Sequence, residues 1–556
     1  MKIKIVFIIV LIAILNSCII IKEMIREKNP TPSFSPSDIT SFDKNNFLNE
    51  ENIGLDFFYI KGFDEPHTPP NVKPTENLKA FLMDTQKTID LNRSRIIRVY
   101  NKTNTEPQEI IILIPGLNGG GSTMVPLAKG IVRRLHGAEV WIWERRANQL
   151  EDRRVIVKAL TEKDPSILTA LFKKDQFQLK DSKNAFYLPT AEDISFVGYW
   201  GVNVNIWDLY FIVNAARKKT KKVILGGFSL GVLYAGVFLS NEFKDENKSI
   251  PGYTLVDKVV FFDGPPFTYG YIKNEFTYKQ GALLYPNNYV YGIDKIQSGK
   301  YFPADADPIN FFIIEAKAAL AYLSPDAVSL EPYMTDNKKL PITNRAKFLI
   351  MFDDNYQSYK LFTATLGRAN AKHSGQFGET TTVKITGLEE SSNKITWILR
   401  NKDDKKELNN GDEYIANSVP VYSNMAEWYQ SSKILLDFGI ISQNDTESGW
   451  QKKYFNLNQT HNIDVPILCI GLARGLMQTK KRYMEYEKLI KSKNFTIVML
   501  ENYRHLDTIT VTDNNGSRQI MADLLTNWLE GKELVNKDAE NYSRAFYKRS
   551  LRTKNN

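Results

Sequence analysis

The sequence predicts an α/β fold, a mostly parallel sheet flanked by helices, with one large insertion before the seventh strand. Three observations predict it. Short apolar, β-rich runs alternate with helix-length amphipathic stretches, the pattern of a parallel sheet covered by helices. One strand-to-helix junction reads Gly227-Phe228-Ser229-Leu230-Gly231, and the alternation lapses after residue 264 to resume at about residue 464. At 556 residues the chain exceeds the size at which a single core stops growing, so an inserted unit is expected.

Residues 1–21 place Lys2 and Lys4 before the apolar run from Ile5 to Leu15, the arrangement of an export signal. Leu15-Asn16-Ser17-Cys18 resembles a relaxed bacterial lipobox, in which Cys18 would carry lipid, although Asn16 stands where a small residue is usual. An uncleaved anchor, to which Ile19 to Ile21 extend the run at about the lower limit for a membrane span, or a plain export signal is the alternative. The expected location is the cell envelope, with a membrane held through the N-terminal lipid or anchor. Residues 22–50, with Pro30, Pro32 and Pro36 among polar residues, read as a tether.

Residues 51–264 read as the first part of the core. Segments 54–63, 94–103 and 109–115 are strand-like, a helix is expected from about Val125 to Leu135, and AEVWIWE forms the next strand. A helix over Val204 to Arg217, a strand from Lys222 to Leu225 and the run DKVVFFDG follow. Residues 265–463 read as a cap insertion. Within it TTTVKITGL and NKITWILRN are expected to pair as a hairpin. Residues 464–535, with VPILCIG and FTIVMLEN, complete the core, and the basic tail 536–556 is expected to be solvated.

The net charge of +9 comes from Lys and Arg scattered among Asp and Glu, so no basic face is legible and nucleic acid is not an expected partner. The second cysteine, Cys469, lies in an apolar run, so a buried thiol and no internal disulfide are expected in the mature domain. No His/Cys/Asp cluster has ligand spacing, so neither a metal nor a cofactor is expected.

Gly227-Phe228-Ser229-Leu230-Gly231 matches G-x-S-x-G between a buried strand and a helix. Such a turn holds a serine in a strained conformation with its hydroxyl outward, and glycines at 227 and 231 let neighbouring chain pass beneath. A serine hydroxyl needs a base, and His505 follows the last strand, where this architecture supplies one. His67, His136, His373 and His461 lack that position and suit surface or packing roles. For the carboxylate that orients the base, the loop after the seventh strand, Gly471-Leu472-Ala473-Arg474-Gly475, offers no acid. Asp263 at the end of the sixth strand is the leading substitute, with Asp353, Asp354 and Asp507 as alternatives. Oxyanion donors are expected from the backbone amides of Leu117, in the glycine-rich loop 115–121, and of Leu230. A phosphate-binding loop is disfavoured, because Ser122-Thr123-Met124 stand where its Lys and Ser/Thr would be.

Taken together, IIILIPGLNGGG, VILGGFSLG, KVVFFDG, DVPILCIG and RHLD resemble the α/β-hydrolase superfamily across most of residues 100–530, in the order nucleophile, acid, histidine. VWIWERRANQLEDR, WGVNVNIWDL, PITNRAKFLIMFDD and AEWYQSSKILLDF are similar to segments of a group of exported bacterial hydrolases, which implies that the insertion is a family cap. The resemblance implies a serine hydrolase acting on a small-molecule carboxylic ester or a lipid. An acyltransferase would use the same residues, and a surface-tethered binding lipoprotein that keeps the fold without turnover is the reading from another class. Aromatics early in the insertion, as in PPFTYGYIKNEFTY, either line an acyl pocket or pack the cap.

Overall fold

The computed structural model describes residues 52–62, 75–84, 91–104, 106–173, 187–245, 248–285, 288–358, 363–375, 382–398, 411–419, 425–441, 449–455, 457–511, 519–534 and 547–548. The signal with Cys18, the tether, His67 and all of the basic tail except residues 547 and 548 lie outside the described residues.

Eight strands carry the sheet: β1 (Ile53–Lys61), β2 (Arg93–Asn101), β3 (Glu109–Ile114), β4 (Ala138–Glu144), β5 (Lys222–Phe228), β6 (Lys258–Phe262), β7 (Ile467–Leu472) and β8 (Phe495–Leu500). A two-residue strand, β9 (Tyr547–Lys548), pairs antiparallel with β8, so this part of the tail joins the sheet edge where a solvated end was expected. The spatial order is β1-β2-β4-β3-β5-β6-β7-β8-β9, and β3 to β8 run parallel to one another. β2 runs antiparallel to both β1 and β4.

The inner strands are apolar on both faces, as a sheet covered on both sides requires. Ile111, Leu113, Ile224, Val260 and Ile470 point into one core, while Ile110, Ile112, Leu225, Val259 and Cys469 point into the other. Cys469 is fully buried and unbridged, and loss of hydration pushes its thiol well up, which keeps it unreactive. Helices α1 (Val125–Arg134), α2 (Val202–Lys219) and α3 (Leu230–Ser240) supply buried residues to these two layers.

Residues 263–466, between β6 and β7, carry the helices α4 (Pro308–Leu323) and α5 (Ser432–Ile440), together with short antiparallel pairs. They share the two cores: Phe312 and Trp428 join one, and Tyr278 and Phe438 the other. Phe267 and Tyr278, from the aromatic stretch, are core packing residues, and the Tyr278 hydroxyl donates to Asp437 at 2.6 Å.

The expected hairpin is corrected. Lys384–Gly387 pairs with Lys372–Ser374, and Thr396–Ile398 pairs with Arg368–Asn370, so the two runs are strands that do not pair with each other. Each run buries two of its described residues, Val383 and Ile385 in the first and Ile395 and Trp397 in the second, and each finds its partner in the preceding segment 368–374. The Trp397 indole donating to the Leu366 carbonyl at 3.1 Å ties the second pair down.

Candidate active site

Ser229 caps the N-terminus of α3 with φ 55° and ψ −118°, a conformation that costs a non-glycine residue of order 1–3 kcal/mol. Its amide donates to the Phe262 carbonyl at 3.0 Å, which secures the turn against the end of β6. The flanking glycines are sterically required. A Cβ on Gly227 would lie 2.3 Å from the Gly231 carbonyl oxygen, and one on Gly231 would lie 2.2 Å from the Ile114 carbonyl oxygen.

His505 lies in the loop after β8 and is 1% exposed. Its ring stacks on that of Phe228, the residue before Ser229, with centroids 4.7 Å apart, and its Nδ1 sits 2.7 Å from Asp263 Oδ2. Asp263 is fully buried directly beyond β6. Its Oδ1 accepts from the amides of Leu472 at 3.0 Å and Met477 at 2.8 Å, and its Oδ2 accepts from the Leu476 amide at 2.8 Å. The end of β7 and the loop after it therefore contribute amides to Asp263 in place of a carboxylate of their own. Gly475 is needed there, since a Cβ would fall 2.3 Å from Asp263 Oδ2.

Of the other carboxylates singled out in the sequence, Asp354 and Asp507 brace the histidine loop and Asp353 is held within the insertion. Asp354 accepts from Arg504 Nε at 2.8 Å and Arg474 Nη2 at 2.9 Å. Asp507 accepts from the Arg504 amide at 2.6 Å and the Thr365 amide at 2.9 Å, linking that loop to the insertion. Asp353 accepts from the amides of Asn355 and Leu366, both at 2.9 Å, and burial pushes its carboxyl well up, with the neighbouring Asp354 adding to the shift. The remaining described histidines are engaged elsewhere: His136 with Asn101, His373 with the Tyr356 hydroxyl, and His461 with the Leu489 carbonyl.

The glycine-rich loop lies over Ser229. A Cβ on Gly116 would be 3.0 Å from Ser229 Cβ, so the peptide joining Gly116 to Leu117 passes beside the hydroxyl-bearing carbon. Leu117 is half-buried and packs against one of the cores. Leu230 is the first residue of α3, where an amide has no intrahelical acceptor. Residues 115–117 therefore lie against the turn that carries Ser229 and Leu230.

No protein-family model and no curated protein sequence matches this chain. Solved structures with a similar trace include a provisionally named lipase from Sulfolobus solfataricus, at 15% identity and TM-score 0.44, covering 87% of this chain and 96% of that one. An esterase from Thermogutta terrifontis aligns at 9% identity and TM-score 0.33, covering 86% of this chain and 98% of that one. A monoacylglycerol lipase from Paleococcus ferrophilus aligns at 10% identity and TM-score 0.31, covering 77% and 96%. The fold is the α/β-hydrolase fold. The strand order and the strained serine turn between β5 and α3 carry that statement, and no reaction or substrate is transferred from these structures.

Residues not singled out individually in the sequence also shape the site. Arg145 and Glu427 form a buried ion pair, with Nε donating to Oε2 at 2.6 Å, and Arg153 donates to Glu315 at 3.1 Å. Both pairs join ERRANQLEDR to the insertion, and the Arg145–Glu427 pair joins it to AEWYQSSKILLDF, so the signal in the sequence is those two segments taken together. Nearby, Asp305 accepts from Gln430 Nε2 at 2.9 Å, while its other oxygen is enclosed without a partner. Burial pushes its carboxyl up to about 7; the Glu427 charge adds to the shift, and Gln430 and Arg145 oppose it. A carboxyl that titrates higher folded than unfolded binds its proton more tightly in the folded chain, so its contribution is full below pH 4 and is lost as pH rises towards 7. Asp305→Asn should therefore gain on the wild type between pH 5 and pH 8, by up to roughly 2 kcal/mol in denaturant titrations. A gain independent of pH would contradict this assignment.

Proposed function

We propose that this protein is a serine hydrolase that cleaves a carboxylic ester or lipid acyl bond through an acyl-enzyme on Ser229. The contact between Asp263 Oδ2 and His505 Nδ1, on an imidazole stacked against the residue preceding Ser229, carries this reading. An acceptor-only carboxylate at Nδ1 selects the tautomer with its proton there, leaving the Nε2 lone pair for a hydroxyl proton.

In this mechanism Ser229 Oγ bonds to the ester carbonyl carbon as its proton passes to His505 Nε2, and the carbonyl electron pair collects on oxygen between the amides of Leu117 and Leu230. Collapse breaks the bond to the alcohol oxygen, which takes the proton from Nε2. Water then adds to the acyl carbon while giving a proton to Nε2. The second collapse releases the carboxylic acid and returns that proton to Oγ.

The ground for a non-catalytic binding protein, a loop after β7 with no acid, is weakened by the same contact. The N-terminal apolar run and Cys18 support export and attachment to a membrane, where lipid esters are accessible substrates. A fluorophosphonate probe tests the proposal: the folded wild type should be labelled, and Ser229→Ala should not. Absence of labelling on folded wild type, or labelling that survives Ser229→Ala, would sink it.

A further inference from the structure

The loop that carries Leu117 is gripped from outside its own strand and helix. Arg145, 2% exposed and next after β4, donates from Nη1 to the Pro115 carbonyl at 3.2 Å. Its Nη2 donates to the Gly116 carbonyl at 3.0 Å and, more weakly, to that of Gly119 at 3.4 Å. Nε, and Nη2 beside it, are held by Glu427, which belongs to the insertion and is 1% exposed.

Around Glu427 the insertion is laid against the loop as an antiparallel strap. The Gly120 amide donates to the Met425 carbonyl at 3.0 Å, the Glu427 amide to the Asn118 carbonyl at 2.9 Å, and the Asn118 amide to Gln430 Oε1 at 2.9 Å. Gly119 and Ala426 form a bridge between them.

The Gly116 carbonyl and the Leu117 amide are two ends of one planar, trans peptide unit and point in opposite directions. A guanidinium fixed on the carbonyl therefore sets where the N–H points. It also polarises the peptide, which strengthens the N–H as a donor. Buried ion pairs are weak devices for stability alone, so the enclosure of this pair calls for another role.

Resting on the reading of Ser229 as nucleophile, we infer that Arg145, held by Glu427, is a positioning residue that aims and polarises the Leu117 amide for the oxyanion. The insertion then completes the oxyanion site through Glu427. Neither side chain has to touch the substrate.

The test uses the full chain, a p-nitrophenyl ester, and a trifluoromethyl ketone that forms an oxyanion adduct on the serine. Arg145→Lys keeps the charge but cannot hold the loop carbonyls and Glu427 together. It should lower kcat about 100-fold, within the range for loss of one oxyanion donor, with KM changed less than about threefold. Glu427→Gln keeps an acceptor and nearly the same shape, and should lower kcat about 10-fold. In both variants the ketone should weaken by the same factor as kcat/KM. Should Arg145→Lys not fold, Glu427→Gln decides alone. Lower thermal stability with unchanged kcat and ketone affinity, or a rise confined to KM, overturns the inference. A wild type inert to both ester and fluorophosphonate sinks the serine-hydrolase reading and this inference with it, whereas an active wild type with unaffected variants sinks this inference alone.

Discussion

Asp263→Asn is expected to lower kcat by about 10,000-fold, the largest effect foreseen for a substitution that conserves shape. Every acceptor position of the native carboxylate faces a donor: the amides of Leu472, Leu476 and Met477, and His505 Nδ1. An asparagine must turn its NH2 towards one side or the other. Turned towards His505, it opposes the Leu476 amide and selects the tautomer protonated on Nε2, and the base is lost. Turned away, it opposes the amides of Leu472 and Met477 and leaves buried donors unpaired, at about 1–3 kcal/mol. Steady-state rates with a chromogenic ester, alongside a denaturant titration, separate the two effects. A loss of less than tenfold in a stably folded variant would mean that Asp263 does not orient the base.

The second large effect is on folding. Gly231 is the second residue of α3, where helix propensity alone would favour alanine by roughly 1 kcal/mol. Sterics oppose this decisively, because the added Cβ would meet backbone: the Ile114 carbonyl oxygen at 2.2 Å and that of Pro115 at 3.0 Å. Backbone in a central strand cannot yield as the end of a long side chain can. Gly231→Ala should therefore lose at least about 3 kcal/mol, at the upper end for overpacking, or give insoluble protein. Gly449→Ala, where no described residue lies within 4 Å of the new atom, serves as the control and should stay within about 0.5 kcal/mol of the wild type. Equal stabilities for the two variants would contradict the close approach of β3 to α3.

The relation between sequence and structure differs sharply from element to element. The runs that form β3, β6 and β7 are continuously apolar because both faces of each strand are covered, and that pattern is local. The elbow at Ser229 is legible for a similar reason, since the glycines it needs lie two residues to either side. TTTVKITGL and NKITWILRN are strands as their composition predicts, but they pair with segment 368–374 and not with each other, because strand propensity marks a strand without naming its partner.

What the sequence by itself determined is the alternation of strands and helices, the strained turn carrying Ser229, and the position of His505 after the last strand; each follows from steric and hydrophobic patterns within a few residues. Only the tertiary structure decided which carboxylate meets the imidazole, across 242 positions, and that Glu427 reaches Arg145 across 282. Such contacts depend on how the whole sheet and insertion pack. A buried charge takes whatever partner that packing places within hydrogen-bonding reach, because leaving it unpaired in the core costs several kcal/mol.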